Sequence, residues 1–326
     1  MSGLYSSITE FDLANRTFKE IKINELDLNS TDKHKIYWIH CDLNDMDNFK
    51  AISEKVQLSE AVVSLCQQED GVAKLIDDNE SLTIRVQCLL VNAVNDNQSV
   101  DFGGLLIHLT TRYCLTASFT AIPAVITFAE TYHKSLKYAK TPCFILFLLL
   151  DNAINDYSNI LLDFESIADQ IDLNMREIDD NTLYSEIMDY KKQVIKAKRY
   201  GAIIRDILMR ISGRKFIVIS EQCRLSLLNL FNHSEIIVKE ADAIKDIFKS
   251  ILDQIDNALI QKLSNTMRVL TAFAAIFLPV AIIPAIYGMN FQIPELKWEY
   301  GYFYALSLMA VTGILLFYFF KKKDWF

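Results

Sequence analysis

Glycine and proline are scarce in this 326-residue chain, 9 and 5 respectively. Neither occurs between Glu235 and Pro279, so nothing local interrupts a helix over that stretch. Basic residues are fewer than acidic ones, 33 against 41. From Val269 onward there are only four lysines and three acids, which leaves a net charge of −9 on the first 268 residues. Such a body is a poor partner for nucleic acid and a reasonable one for cations. Six cysteines (Cys41, Cys66, Cys88, Cys114, Cys143, Cys223) form no CxxC and no regular spacing, which predicts reduced, mostly buried thiols in a cytosolic compartment. Five histidines are equally scattered. His40 adjoins Cys41, but neighbouring strand residues point to opposite faces, so the two are not expected to share a ligand. There is no phosphate-cradling loop, no Ser/His/Asp set and no Cys/His cluster, which leaves nothing to support an enzyme or an ATP-driven pump. Met1 to Glu10 has neither a basic start nor an apolar core, so no secretory leader is expected.

What the C-terminal part does have is two long uncharged runs, Val269 to Tyr287 and Tyr302 to Phe320. Each is about the length a helix needs to cross roughly 30 Å of hydrocarbon. Pro279 and Pro284 in the first favour a helix packed on others or lining a cavity. Lys262 and Arg268 precede the first run, and Lys321, Lys322 and Lys323 follow the second. The positive-inside rule therefore places both ends in the cytoplasm, with the connection facing outward.

Ahead of the runs lies an α/β body. Lys35 to Cys41, Leu82 to Val91, Gly104 to Leu109 and Arg112 to Ser118 have strand-like density of β-branched and aromatic residues, the last two close enough for a hairpin. Helices are predicted over Asp47 to Val56, Leu58 to Gln68, Ala124 to Tyr138, Thr141 to Glu177, Thr182 to Ile211 and Arg214 to Phe231, with a turn at Asn232, His233 and Ser234. Phe144 to Leu150 is too short to span a bilayer and is expected in the core. Glu235 to Asn290 then reads as one helix of roughly 84 Å at 1.5 Å per residue, a stalk running into the first span.

Asp242, Asp246, Asp253 and Asp256 follow one stripe of that stalk. Carboxylates meeting across a subunit interface would hold together with a divalent ion and repel without it. In the first span Met267, Leu270, Ala274, Leu278, Ala281, Ala285 and Gly288 share another stripe. In several copies around an axis it would line a pore, with hydrophobic rings that close by dewetting. A small-residue stripe also suits helix-on-helix packing. Asn290 lies at the outer end, where a ring of amide oxygens could bind the water shell of Mg²⁺.

Tyr287-Gly288-Met289-Asn290, then Phe291, Pro294-Glu295-Leu296, Trp298, Gly301-Tyr302 and the terminal Lys-Lys-Lys-Asp-Trp-Phe resemble the CorA family of magnesium/cobalt transporters. The resemblance runs the length of the chain. It implies an α+β membrane protein forming a funnel-shaped homopentamer in the cell (inner) membrane: an N-terminal α/β/α cytoplasmic domain over 1–234, a stalk over 235–266, a pore-lining span over 267–290, an external loop over 291–301, a second span over 302–320 and a basic cytoplasmic tail over 321–326. It also implies Gly288-Met289-Asn290 as the selectivity entrance, gating rings at Met267, Leu270 and Leu278, and Mg²⁺ as both transported and regulatory ion, with no other cofactor. The expected partners are divalent cations, further copies of the chain and membrane lipid. Ala281 stands where the family often has a pore-facing hydroxyl and Pro284 where a small residue is usual, which leaves Co²⁺, Ni²⁺ or Zn²⁺ open as cargo. The alternatives are a proton-coupled zinc transporter of the ZntB type, and a membrane-anchored sensor without transport.

Overall fold

The computed structural model describes residues 6–28, 32, 34–68, 73–90, 100–135, 140–174, 181–290, 293–323 and 325. Val91, Tyr138, Glu177, Phe291, Asp324 and Phe326, which bound or mark features read from the sequence, lie outside the described residues. The chain divides into two compact units, Met1–Lys249 and Ser250–Phe326.

The first unit is built on a seven-stranded sheet: β1 (Ser7–Asp12), β2 (Thr17–Ile21), β3 (Lys35–Asp42), β4 (Lys74–Asp77), β5 (Ser81–Leu89), β6 (Phe102–Thr110) and β7 (Tyr113–Ser118). Their order is β2-β1-β3-β7-β6-β5-β4, and of these pairs only β3 with β7 is parallel. The central strands are buried almost throughout, which is why they read as near-continuous apolar runs. β6 and β7 form the expected hairpin, its turn closed by the Thr110 hydroxyl accepting from the Tyr113 amide at 3.0 Å.

Strand alternation sends side chains to two helical layers. Tyr37, Ile39 and Cys41 join the core formed with α1 (Met46–Lys55) and α2 (Glu60–Cys66). Helix α1 is capped by Asp45, which accepts from the Asn48 amide, and α2 by Ser59, which accepts from the Val62 amide. Buried Arg85 donates to the carbonyl oxygens of Leu65 and Gln68 at the end of α2. On the opposite face, Trp38 sits edge-on to Phe128 of α3 (Pro123–Ser135) at 4.7 Å between ring centroids. Helices α4 (Cys143–Asn174) and α5 (Asn181–Gly213) complete that layer. Ile145, Leu146, Leu149 and Leu150 of α4 are fully buried, as expected for a core segment.

One sequence expectation fails here. Asn232, His233 and Ser234 make no turn: α6 runs unbroken from Glu221 to Tyr287, 67 residues. Polar side chains alone do not stop a helix in the absence of Gly or Pro, and the Ser234 hydroxyl donates to the Phe231 carbonyl within it. The stalk helix therefore begins at Glu221 rather than Glu235. Within the first unit its Ala241, Ile244 and Phe248 are buried, Phe248 stacked on Tyr190 of α5.

The second unit holds the end of α6, a short 3-10 turn over Pro294–Lys297 and α7 (Gly301–Lys322). Helices α6 and α7 are the two that are long and apolar enough to cross a bilayer among the described residues. Almost none of their apolar windows is covered by the rest of the chain. Thr271 and Thr312 donate their hydroxyls back to the carbonyls of Met267 and Leu308, both at 2.7 Å. That leaves no loose donor on either helix at those positions, the arrangement hydrocarbon requires.

Candidate functional site

The uncharged part of α6 presents two unlike faces. Ala272 is fully buried, and Ile276, Pro279, Val280, Ile283 and Tyr287 are half-buried. This covered stripe faces α7, with Gly313 against Val280: a Cβ on Gly313 would sit in ordinary contact, 3.6 Å from Val280 Cγ2. At 3.6 residues per turn the opposite side of the helix carries the stripe singled out from the sequence. There Met267, Leu270, Ala274, Leu278 and Ala285 are exposed, and Ala281 is partly covered. Leu270 and Leu278 are each more than 60% exposed, at 63% and 64%, on a helix with no charged residue from Val269 to Tyr287. The second span of the same chain thus packs on the other side and leaves the candidate lining stripe open.

Pro279 and Pro284 sit inside the helix without ending it. The Pro284 carbonyl accepts from the Gly288 amide at 2.9 Å, and Ile286 from Met289 at 3.2 Å, so the chain leaves α6 through a tightening last turn. A Cβ on Gly288 would meet the Pro284 carbonyl oxygen at 3.3 Å, closer than an ordinary contact. The sequence expectation ran the helix to Asn290; the structure ends it at Tyr287 and exposes Gly288, Met289 and Asn290 just beyond. Aromatic side chains gather near this end, with Trp298 packed on Tyr304 at 5.8 Å between centroids. Such amphipathic rings favour a headgroup-level environment. Phe320 and Trp325, 5.2 Å apart, do the same beside Lys321, Lys322 and Lys323.

The candidate regulatory carboxylates have different surroundings. Asp242 is half-buried and accepts from Lys198 Nζ at 2.7 Å and Lys245 Nζ at 2.8 Å. These hydrogen bonds, Lys198 first, hold its carboxyl below the usual range. Asp246 lies 3.3 Å from Lys245, while Asp253 and Asp256 are exposed. Among the described residues no three His, Cys, Asp or Glu side chains come together to hold a metal. Asp242 with its two lysines is thus already satisfied within one chain, a pairing that sequence reasoning missed because Lys198 is 44 residues away on α5.

His40 and Cys41 part as expected. The His40 ring meets the Thr116 hydroxyl at 3.0 Å, which also accepts from Trp38 Nε1 at 3.1 Å, and Cys41 enters the core on the other face. All six cysteines are buried free thiols.

Comparison with known proteins agrees with this architecture. The profile described as "CorA-like Mg2+ transporter protein" matches residues 33–322. A "Cobalt/magnesium transport protein CorA" of Thermotoga maritima is 27% identical over 198 residues, 60% of this chain and 56% of that protein, so the match spans just over half of the relative. The protein of the same description from Methanocaldococcus jannaschii is 20% identical over 311 residues, 94% of this chain and 95% of that one. The solved structure of the CorA magnesium transporter from M. jannaschii superposes with a TM-score of 0.85 at 19% identity, covering 100% of both chains, and so shares the fold. With a family profile that takes in most of the body, the long helix and both apolar runs, this chain belongs to the CorA-like Mg2+ transporter family.

Proposed function

We propose that this protein is a passive uptake channel for hydrated divalent cations, Mg²⁺ foremost with Co²⁺ and Ni²⁺ as further cargo. Several copies, five by resemblance to the family, would place the end of α6 around a shared axis. One observation carries the reading: α7 packs on the side of α6 opposite Met267, Leu270, Ala274, Leu278 and Ala285, which leaves that stripe uncovered and free to face an axis. The small-residue stripe is therefore not spent on packing the chain's own second span.

In this reading Asn290, with Gly288 and Met289, forms the outer collar. Amide oxygens accept from the water molecules of the ion, so Mg²⁺, which dehydrates reluctantly, enters with its shell. Small side chains (Ala274, Ala281, Ala285) leave width for the shell, and the bulkier Leu270, Leu278 and Met267 close the pore by dewetting. With no charge in the run, the driving force is electrical, about 4.6 kcal/mol for a double charge per 100 mV. The site lies in the cell membrane with both termini cytoplasmic, consistent with the lysines that flank the two runs.

Regulation by internal Mg²⁺ is assigned to Asp242, Asp246, Asp253 and Asp256 acting between copies. Asp242 takes part only by exchanging Lys198 and Lys245 for the ion.

Flux into proteoliposomes under an imposed potential tests the pore: Mg²⁺ influx is expected, and Asn290→Ala should abolish it while the protein still inserts. Influx that needs a proton gradient and prefers Zn²⁺ would replace this reading with coupled transport; no influx in either form would leave a membrane anchor. For the regulatory part, replacing the four aspartates by Asn should make protease protection of the body independent of Mg²⁺. Unchanged Mg²⁺ dependence would move the sensor elsewhere.

A further inference from the structure

The parallel strand pair of the sheet ends in a cavity that the ion pathway does not use. Beyond their carboxyl ends the chain leaves in opposite directions, from β3 to α1 on one face and from β7 to α3 on the other. A crevice where such connections diverge is where α/β sheets bind ligands. Here it measures about 160 Å³ and is lined by His40, Asp42, Asn44, Ser118 and the segment 119–121. Strand alternation puts His40 and Asp42 on one face, and the register sets His40 beside Thr116 and Asp42 beside Ser118. His40 is only 3% exposed. Its Nδ1 meets the Thr116 hydroxyl at 3.0 Å; that oxygen also accepts from Trp38 Nε1 at 3.1 Å and stands 3.5 Å from the Ile39 carbonyl oxygen. The hydroxyl has one proton to give. When it goes to Ile39, Nδ1 carries the ring hydrogen and Nε2 keeps a lone pair that no described residue meets. Asp42 is half-used as well: Oδ1 accepts from the Asn44 amide at 2.9 Å and from Asn44 Nδ2 at 2.8 Å, while Oδ2 has no donor among the described residues. Ser118 spends its proton on the Thr120 carbonyl at 2.9 Å, which leaves its oxygen lone pairs.

We propose that His40 Nε2, Asp42 Oδ2 and Ser118 Oγ bind one borderline divalent transition-metal ion, of the class of Co²⁺, Ni²⁺ and Zn²⁺, within the body of each chain. An imidazole nitrogen with a carboxylate suits these ions, whereas Mg²⁺ prefers oxygen throughout. Thr116 is the positioning residue. By accepting the Nδ1 hydrogen it turns the Nε2 lone pair toward the ion, the outer-shell arrangement that metal-bound histidines share. Two strong ligands and one hydroxyl come from the protein, so water completes the coordination, and the cavity has room for several molecules. The bound ion would clamp the exits of β3 and β7 and so fix the path from the sheet into α3. The site stands whether or not the chain conducts, because it uses none of the residues assigned to the pore or to the stalk carboxylates.

The test titrates the full-length protein in detergent with Co²⁺ in excess Mg²⁺, which occupies oxygen-only sites, and follows the visible absorption of the bound ion. One Co²⁺ per chain is expected, displaced by Zn²⁺. Asp42→Asn and His40→Gln should each weaken binding by at least about tenfold, and Thr116→Val by about 10–100-fold, with Thr116→Ser restoring it. His34→Gln and His133→Gln, at exposed positions, should change nothing. The wild-type chain decides the matter even where a variant fails to fold: loaded with Cu²⁺, which binds such sites most tightly, and treated with ascorbate in air, it should be oxidised at His40 when mapped by mass spectrometry. No Co²⁺ bound in excess Mg²⁺, binding unchanged by Asp42→Asn, or oxidation confined to His34, His133 and His233 would each overturn the proposal.

Discussion

Phe248 and Phe277 lie on the same helix, one wholly buried and the other 73% exposed. The contrast extends to the two units that share α6. In Met1–Lys249 the large apolar side chains pack against a sheet and its helices, with Trp38, Tyr37, Phe128 and Phe164 almost without exposure. In Ser250–Phe326 residues of the same chemistry (Leu270, Phe277, Tyr302, Phe303, Ile314) stand open. Burial in one unit is supplied by the chain itself. In the other it has to come from outside the chain, because uncovered apolar surface on this scale is unfavourable in water.

The largest break in that comparison comes from truncating equivalent apolar groups. Trp38→Ala removes a buried ring and a hydrogen bond to Thr116 and is expected to destabilise the body by about 3–5 kcal/mol in urea titrations. Phe277→Ala should leave those titrations unchanged. Equal losses from both would show that the second unit is packed like the first.

Acid separates the units next. All five histidines lie in the body, and burial holds His40 and His108 down at about 4. Above pH 6.5 both folded and unfolded chains carry these rings neutral. Below it only the unfolded chain takes up the protons, so stability falls as pH drops from 6.5 toward 4, by roughly 3 kcal/mol for each ring. Unfolding measured at pH 7, 5.5 and 4.5 should show this slope, and His40→Gln should remove about half of it.

A charge placed on each surface gives the converse contrast. Val311→Arg, at the middle of α7, should cost about 2.5–3.5 kcal/mol in a membrane-insertion assay. Ile217→Arg, at a site 76% exposed in the body, should change stability by no more than about 0.5 kcal/mol. The smallest effect belongs to the half-exposed ion pair: Lys198→Met should cost less than about 1 kcal/mol in the same titrations, since solvent screens much of the attraction.

The strands β3, β5, β6 and β7 were legible because both their faces are buried, which writes an apolar run into the sequence. The edge strands β2 and β4, and β1 next to an edge, were not. Their residues alternate with charge (Ser7–Asp12, Thr17–Ile21, Lys74–Asp77), and pairing with β1, β2, β3 or β5 rather than an apolar run makes them strands. The break expected at Asn232 failed for a related reason, since local polarity is a weak signal where a helix has packing on one side. The salt bridge of Asp242 and the meeting of Cys143 with Cys223 bring together residues 44 and 80 positions apart, and no local pattern encodes such a contact.

By itself the sequence determined that two uncharged segments close the chain, that a helix without Gly or Pro leads into the first, and that Gly288-Met289-Asn290 follows it, because length, charge and backbone freedom are local properties. Only the tertiary structure decided which side of that helix α7 occupies, and hence which stripe stays open. That choice depends on side chains from two segments fitting one another, with Gly313 against Val280, and complementarity between distant segments exists only once the chain has folded.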